Sequence, residues 1–128
     1  MLKRFIIRGN PTGKPRMTRQ DKWKQRPRVM RYRAWADAAR AAAGVTTKVV
    51  LTNPTTLTFR AYLAMPAAWS ASKREAMRGQ PCLSKPDRDN LDKALADAIF
   101  ENDECVYAGD QEKFWDDGSG PRMEVEWW

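Results

Sequence analysis

Residues 85–100 read KPDRDNLDKALADAIF, and two patterns overlap in them. Leu91, Leu95, Ala98 and Ile99 recur at helical spacing and predict the buried face of a helix running from Asp89 to about Phe100. Asp89, Lys93 and Asp97, at i, i+4 and i+8, fall on another face, and Asp89 stands where an N-cap belongs. Asp87 lies two residues ahead of it, just after Pro86. If the chain is extended there, both carboxylates point to one side. A helix with one apolar face has to be covered, and the flanking segments must supply the cover.

Upstream, LKRFIIRG (2–9) reads as a strand ending in the turn Gly9-Asn10-Pro11. Residues 10–30 carry three prolines and no helical period, which predicts a long basic loop. RYRAWADAARAAA (31–43) places Trp35, Ala38, Ala39 and Ala42 at helical spacing and stops at Gly44, a suitable C-cap. TKVVLTN (47–53) and TLTFRAYLA (56–64) read as strands around the Asn53-Pro54 turn. Residues 66–81 predict a helix capped near Ser70 or Ser72 and closed by Gly79, with Ser72-x-x-Glu75 fitting a capping box. Downstream, the chain turns through Glu101 to Glu104 and continues as Cys105-Val106-Tyr107 and Lys113-Phe114-Trp115, and the alternating RMEVEWW (122–128) reads as a C-terminal strand. The order β, α, β, β, α, α, β, β predicts an α+β fold: a single domain over residues 1–128, with a mixed or antiparallel β-sheet packed with α-helices.

Composition narrows the chemistry. At 128 residues and 42% hydrophobic, with six Trp, the chain has enough for one core. The apolar start Phe5-Ile6-Ile7 is too short for a signal peptide, and no apolar run spans a bilayer, so a soluble cytoplasmic protein without a membrane partner is expected. Cys82 and Cys105 form no CxxC pair. With no histidine, the Ser-His-Asp and Cys-His triads, His-ligated zinc and histidine general-base hydrolysis are all excluded. Any hydrolysis must activate water in another way.

Charge is unevenly spread. Residues 1–33 hold twelve Lys and Arg against Asp21 alone, a balance of +11, so the remainder carries −4 of the net +7. Such an arm fits a polyanion, and Lys14, Arg16, Arg19, Lys22, Lys24, Arg26 and Arg28 are its candidate phosphate contacts. Trp23, between Lys22 and Lys24, offers a flat face for a base or sugar; it serves equally well as a pin for the loop.

The acidic residues behave differently. Asp87, Asp89 and, after the helix, Asp103 supply hard oxygen donors of the kind that hold magnesium, whose bound water becomes a nucleophile without histidine. Lys93 lies one turn beyond Asp89. The plain alternative is that Asp89 caps the helix while Asp92 and Asp97 are solvated. Asp87 is harder to explain that way, because a second carboxylate beside the first is repelled unless a cation offsets it.

KPDRDNLDKALADAI, preceded by MPAAWSASKREAMRGQP and followed by NDECV, resembles the RusA family of Holliday junction resolvases, including its prophage-encoded members. The likeness extends to GKPRMT (13–18) and the closing GPRMEVEW. It implies a homodimeric, Mg2+-dependent endodeoxyribonuclease, with Mn2+ as a substitute ion, that nicks two opposed strands of a four-way DNA junction during recombination and repair. By the resemblance, Asp87, Asp89 and Asp103 are the metal ligands and, with Lys93, the catalytic set; Asn90 and Asp97 support them. The sequence departs from the pattern at Asn102-Asp103, where two aspartates are common, and in a short link from Asp97 to Asp103, which leaves Glu101 and Glu104 as substitutes for Asp103. A catalytically silent phage accessory protein that binds branched DNA is the alternative.

If the arm reaches phosphate, replacing Lys22 and Lys24 with Ala lowers the slope of log affinity against log salt by roughly 0.9 for each phosphate no longer neutralised. Titrations of a four-way junction over a salt series measure it, and a slope equal to the parent's would remove these two lysines from the interface.

Overall fold

The computed structural model describes residues 2–16 and 26–128. Its order is β1 (Lys3–Arg8), α1 (Pro27–Ala43), β2 (Thr55–Leu63), α2 (Ala71–Met77), α3 (Arg88–Ile99), β3 (Val106–Ala108), β4 (Gln111–Trp115) and β5 (Arg122–Trp127). The five strands form one mixed sheet. β5 lies between β1 and β2 and is antiparallel to both, while β3 and β4 follow one another along the far edge of β2, parallel to it. Gly109 lies at the break between β3 and β4, where its φ of 151° brings it against β2 so closely that a Cβ would overlap the Leu57 carbonyl.

Alternation decides which face of the sheet is covered. Phe5 and Ile7, Leu57, Phe59, Ala61 and Leu63, and Met123 and Val125 are all buried, and they meet α1 and α3. The other face carries charge pairs such as Arg4 with Glu126 (3.0 Å) and Arg60 with Glu112 (3.1 Å). α3 contributes Leu91, Leu95, Ala98 and Ile99, none more than 1% exposed, as its period predicts. α1 contributes Tyr32 and Trp35 together with the small Ala36, Ala39 and Ala43, so it lies close against α3. Arg40 Nη1 donates to the Ala98 carbonyl at 3.0 Å and adds a polar tie between the two helices.

Several boundaries differ from the sequence reading. α1 starts at Pro27, four residues before the expected Arg31, because Pro27 occupies its first turn, where a fixed φ suits the helix and no N–H is needed. It ends as expected at Gly44, at φ 74°. The strand expected over 47–53 reduces to a single bridge: Val49 N–H donates to Ile99 O and Val49 O accepts from Glu101 N–H, and the ladder goes no further. α2 is capped by Ser70, whose Oγ accepts from Lys73 N–H at 3.2 Å. The Ser72–Glu75 box does not form, as Glu75 pairs with Arg78 at 2.9 Å instead. The N-cap of α3 is Asp87, not Asp89.

At the far end of the sheet, Arg122 is 6% exposed and grips Asp117 with both Nη atoms at 3.0 and 3.1 Å, while its Nε donates to Glu124 and its plane lies 4.0 Å from the Tyr62 ring centre. The Arg122 bonds, then the Ser119 N–H, hold the Asp117 carboxyl at about 2 against its ordinary 3.8. A carboxyl depressed by folding stabilises fully above its unfolded value and loses that contribution as pH falls through the folded one. Asp117→Asn is therefore expected to lower the melting temperature at pH 7 by about 2–5 °C, what roughly 1 kcal/mol produces once screening at this part-exposed site is discounted. The gap from the parent should close between pH 4 and 2; a gap that stays constant over that range would refute the assignment.

Candidate active site

The chain reaches α3 through a turn held from outside. After Cys82, whose N–H donates to Lys113 O at 3.0 Å, residues 83–86 cross to the helix by a cis Lys85–Pro86 bond. Lys113 of β4 clamps this turn, its ammonium donating to the carbonyls of Ser84 and, at 2.8 Å, Pro86. Asp87 then takes the N-cap position with extended backbone, yet its side chain makes no capping hydrogen bond. Its carboxylate is exposed and faces Lys85 Nζ at 3.4 Å. Asp89 follows in the first turn, also exposed.

Asp92, which the sequence offers as an ordinary solvated position, is half-buried. Burial pushes its carboxyl up, a hydrogen bond from Gln111 pulls it down, and the negative charges of Asp89 and Asp103 push it up further. Asp89, Asp92 and Asp103 therefore share one field on the side of α3 that faces β4. Lys93 is exposed between that side and the α1 side. Asn102 plays a structural part, since its Oδ1 accepts from Leu51 N–H at 2.9 Å and its Nδ2 donates to Leu51 O at 3.0 Å, which fixes the turn carrying Asp103.

The α1 side of α3 receives the basic segment. Lys14 Nζ lies 2.9 Å from Asp97 Oδ2, and the Tyr32 hydroxyl lies 3.2 Å from both that oxygen and Ala94 O. Against the upward push of burial, Lys14, then Lys48 and the Tyr32 hydroxyl, hold the Asp97 carboxyl below its usual range. Burial, reinforced by Asp97, holds the Tyr32 phenol protonated. One residue earlier in the segment, Gly13 packs so tightly on the helix start that a Cβ there would overlap Asn90 Nδ2. Asn90 and Asp97 thus both carry the segment on α3.

Between residues 8–16, α1 and the 85–90 turn runs a cleft of about 820 Å³. It is lined by Arg8, Lys14, Arg16, Arg28, Arg31 and Lys85, with no acidic side chain among its described lining residues. Lys14, Arg16 and Arg28 are sequence candidates that the fold gathers here. Arg26 stands at the N-cap of α1 and donates to Arg16 O at 2.9 Å. Arg19, Lys22, Trp23 and Lys24 lie outside the described residues.

The donors fit a hard divalent ion in kind, being carboxylates without thiolate or imidazole. In placement they are spread: among the described residues no group of three or more His, Cys, Asp or Glu stands close enough together to hold a metal. Asp87 in particular is turned to Lys85.

The family model for endodeoxyribonuclease RusA matches residues 8–127, from the end of β1 to the last residue of β5. The chain belongs to the RusA family. It is accordingly an endodeoxyribonuclease that hydrolyses phosphodiester bonds at Holliday junctions. Among curated proteins and solved structures nothing matches it. No described helix is long and apolar enough to cross a membrane.

Within this RusA domain, Lys113, Arg8, Arg31 and Lys85 were not legible as site residues, because single basic residues on strands, turns or an exposed helix face carry no periodic signal. Only the fold shows that Lys113 spans two carbonyls of the turn before Asp87. Lys113→Met should lower the junction-cleavage rate roughly 10- to 100-fold, as expected when reacting groups are displaced by about 1 Å, with junction affinity unchanged within twofold. Lys113→Arg should recover part of the rate. Equal rates for parent and Lys113→Met would show that the clamp does not position the site.

Proposed function

We propose that this RusA-family enzyme resolves four-way junctions by paired nicks with Mg2+, for which Mn2+ can substitute, held by Asp87, Asp89 and Asp103, and with Lys93 at the scissile phosphate. The observation that carries this reading is an N-cap carboxylate that does not cap. A structural cap would accept hydrogen bonds from the helix N–H groups; Asp87 leaves them and stands exposed two residues from Asp89. Two such neighbours repel; Lys85, 3.4 Å from Asp87, offsets part of the charge, and a divalent ion would offset the rest and supply the attraction that gathers carboxylates otherwise spread apart. A bound Mg2+ would supply a water of lowered pKa and offset charge on the phosphate.

The chain's own residues do the remainder. Lys113 fixes the turn that presents Asp87 and Asp89. Asn102 fixes the turn that presents Asp103. Lys93, exposed one helical turn beyond Asp89, supplies positive charge to the scissile phosphate. The basic segment, fastened to α3 by the Lys14–Asp97 pair, grips backbone phosphates and reads the shape of the branch. A two-fold homodimer would present the same centre to two symmetry-related strands, which is what paired nicking requires.

The test is cleavage of a labelled four-way junction. Parent protein should convert it to nicked duplexes with Mg2+ and leave it intact in EDTA. Asp89→Asn should lose cleavage by at least about 1,000-fold, since a ligand carboxylate is removed, and still bind the junction. Cleavage by Asp89→Asn at the parental rate would dismiss the ligand assignment, and full activity in EDTA would dismiss the metal.

A further inference from the structure

The cleft beside the start of α3 is lined by a residue whose buried donor no described residue satisfies. Trp35 is 5% exposed and lines the cleft, yet its indole N–H has no acceptor, the one buried side-chain nitrogen or oxygen so placed among the described residues. Over nine-tenths of buried polar groups in folded proteins are paired, so an orphan points to a partner that arrives from outside. The surroundings define that partner. Arg8, Arg28 and Arg31 converge on the cleft without a carboxylate partner among the described residues. Among the described residues the site thus lacks an acceptor and a negative charge together.

We propose that this cleft seats a backbone phosphodiester of the DNA, with Trp35 Nε1–H donating to a non-bridging oxygen and Arg8, Arg28 and Arg31 neutralising the charge. The proposal rests on the nuclease reading above and adds a fixed contact to it. A volume of about 820 Å³ admits a phosphate with part of its nucleotide. Pro86 and Asn90 form one wall, so the seat adjoins the turn that carries Asp87 and Asp89. A phosphate held here sets which bond of the same strand the carboxylates meet, and the binding is indifferent to base identity.

Trp35 and the arginines make separable contributions. A neutral N–H strengthens binding without releasing a counterion, whereas each arginine that neutralises a phosphate adds roughly 0.9 to the salt slope. With the full chain in EDTA, Trp35→Phe should weaken four-way-junction affinity about 10-fold and leave the salt slope at the parental value. Arg31→Gln, on the exposed side of α1, should weaken it and lower the slope by about 0.9. Trp35 also packs in the core, so Arg31→Gln carries the test alone if Trp35→Phe does not fold.

A second measurement follows the indole N–H by nitrogen-15 NMR, its signal identified by its loss in Trp35→Phe or, should that variant not fold, by through-space contacts to Tyr32. Junction DNA should move this signal, and inorganic phosphate at tens of millimolar should not. If the parent binds the junction but the folded variants match it in affinity and slope, the seat is refuted while the nuclease reading stands. If inorganic phosphate moves the Trp35 signal and displaces DNA, the cleft takes a free phosphate and the proposal is overturned. A parent that binds no junction would overturn the nuclease reading and this proposal together.

Discussion

Burial of one stripe of α3 governs the rest of the molecule. Leu91, Leu95, Ala98 and Ile99 are sealed against α1 and the sheet, at about 1.5–3 kcal/mol for each large side chain removed from water. With 3.6 residues per turn, fixing that stripe fixes the direction of every other side chain on the helix. Asp89 and Lys93 are left outside, Asp92 is set against Gln111, and Asn90 and Asp97 face the basic segment. The acidic and basic halves of the surface are thus two sides of one helix.

How much of this could be read beforehand depended on whether the governing signal was periodic. The apolar period of α3, the alternation along β2 and β5 and the glycine after α1 report burial directly, and the elements came out within a few residues of expectation. The 47–53 segment failed because its β-branched residues satisfy propensity but find a neighbour only at Val49. At Ser70 and Ser72 two cap candidates compete, and geometry three residues on, not composition, selects Ser70. Asp87 and Asp89 were visible as a pair, though the cap was expected at Asp89 and falls two residues earlier, at Asp87. Lys113, Asn102 and Trp35 were invisible as site residues, since their significance lies in partners 27, 51 and more positions away or in the lack of one.

The electrostatics follow the same division. Lys14 does not stand free over the cleft as composition alone would have it, because Asp97 holds it at 2.9 Å. Its charge fastens the segment to the helix, which leaves Arg8, Arg16, Arg28 and Arg31 exposed around the cleft. On the opposite side, the negative charges of Asp89 and Asp103 reach the half-buried Asp92, with no lysine or arginine salt bridge to any of the three among the described residues. In a chain of net charge +7, these carboxylates and the basic cleft thus lie on different sides of α3.

The run of alanines in α1 bears on the width of the cleft. Ala36, Ala39 and Ala43 let two helices approach closely, and on the outward side Ala34 and Ala38 form part of the cleft wall. A larger residue at the inner positions would wedge the helices apart and widen the groove, while one at the outer positions would fill it. The calibre of the groove is therefore set by methyl groups, and the outer pair can change it without entering the core that orients the acidic side of α3.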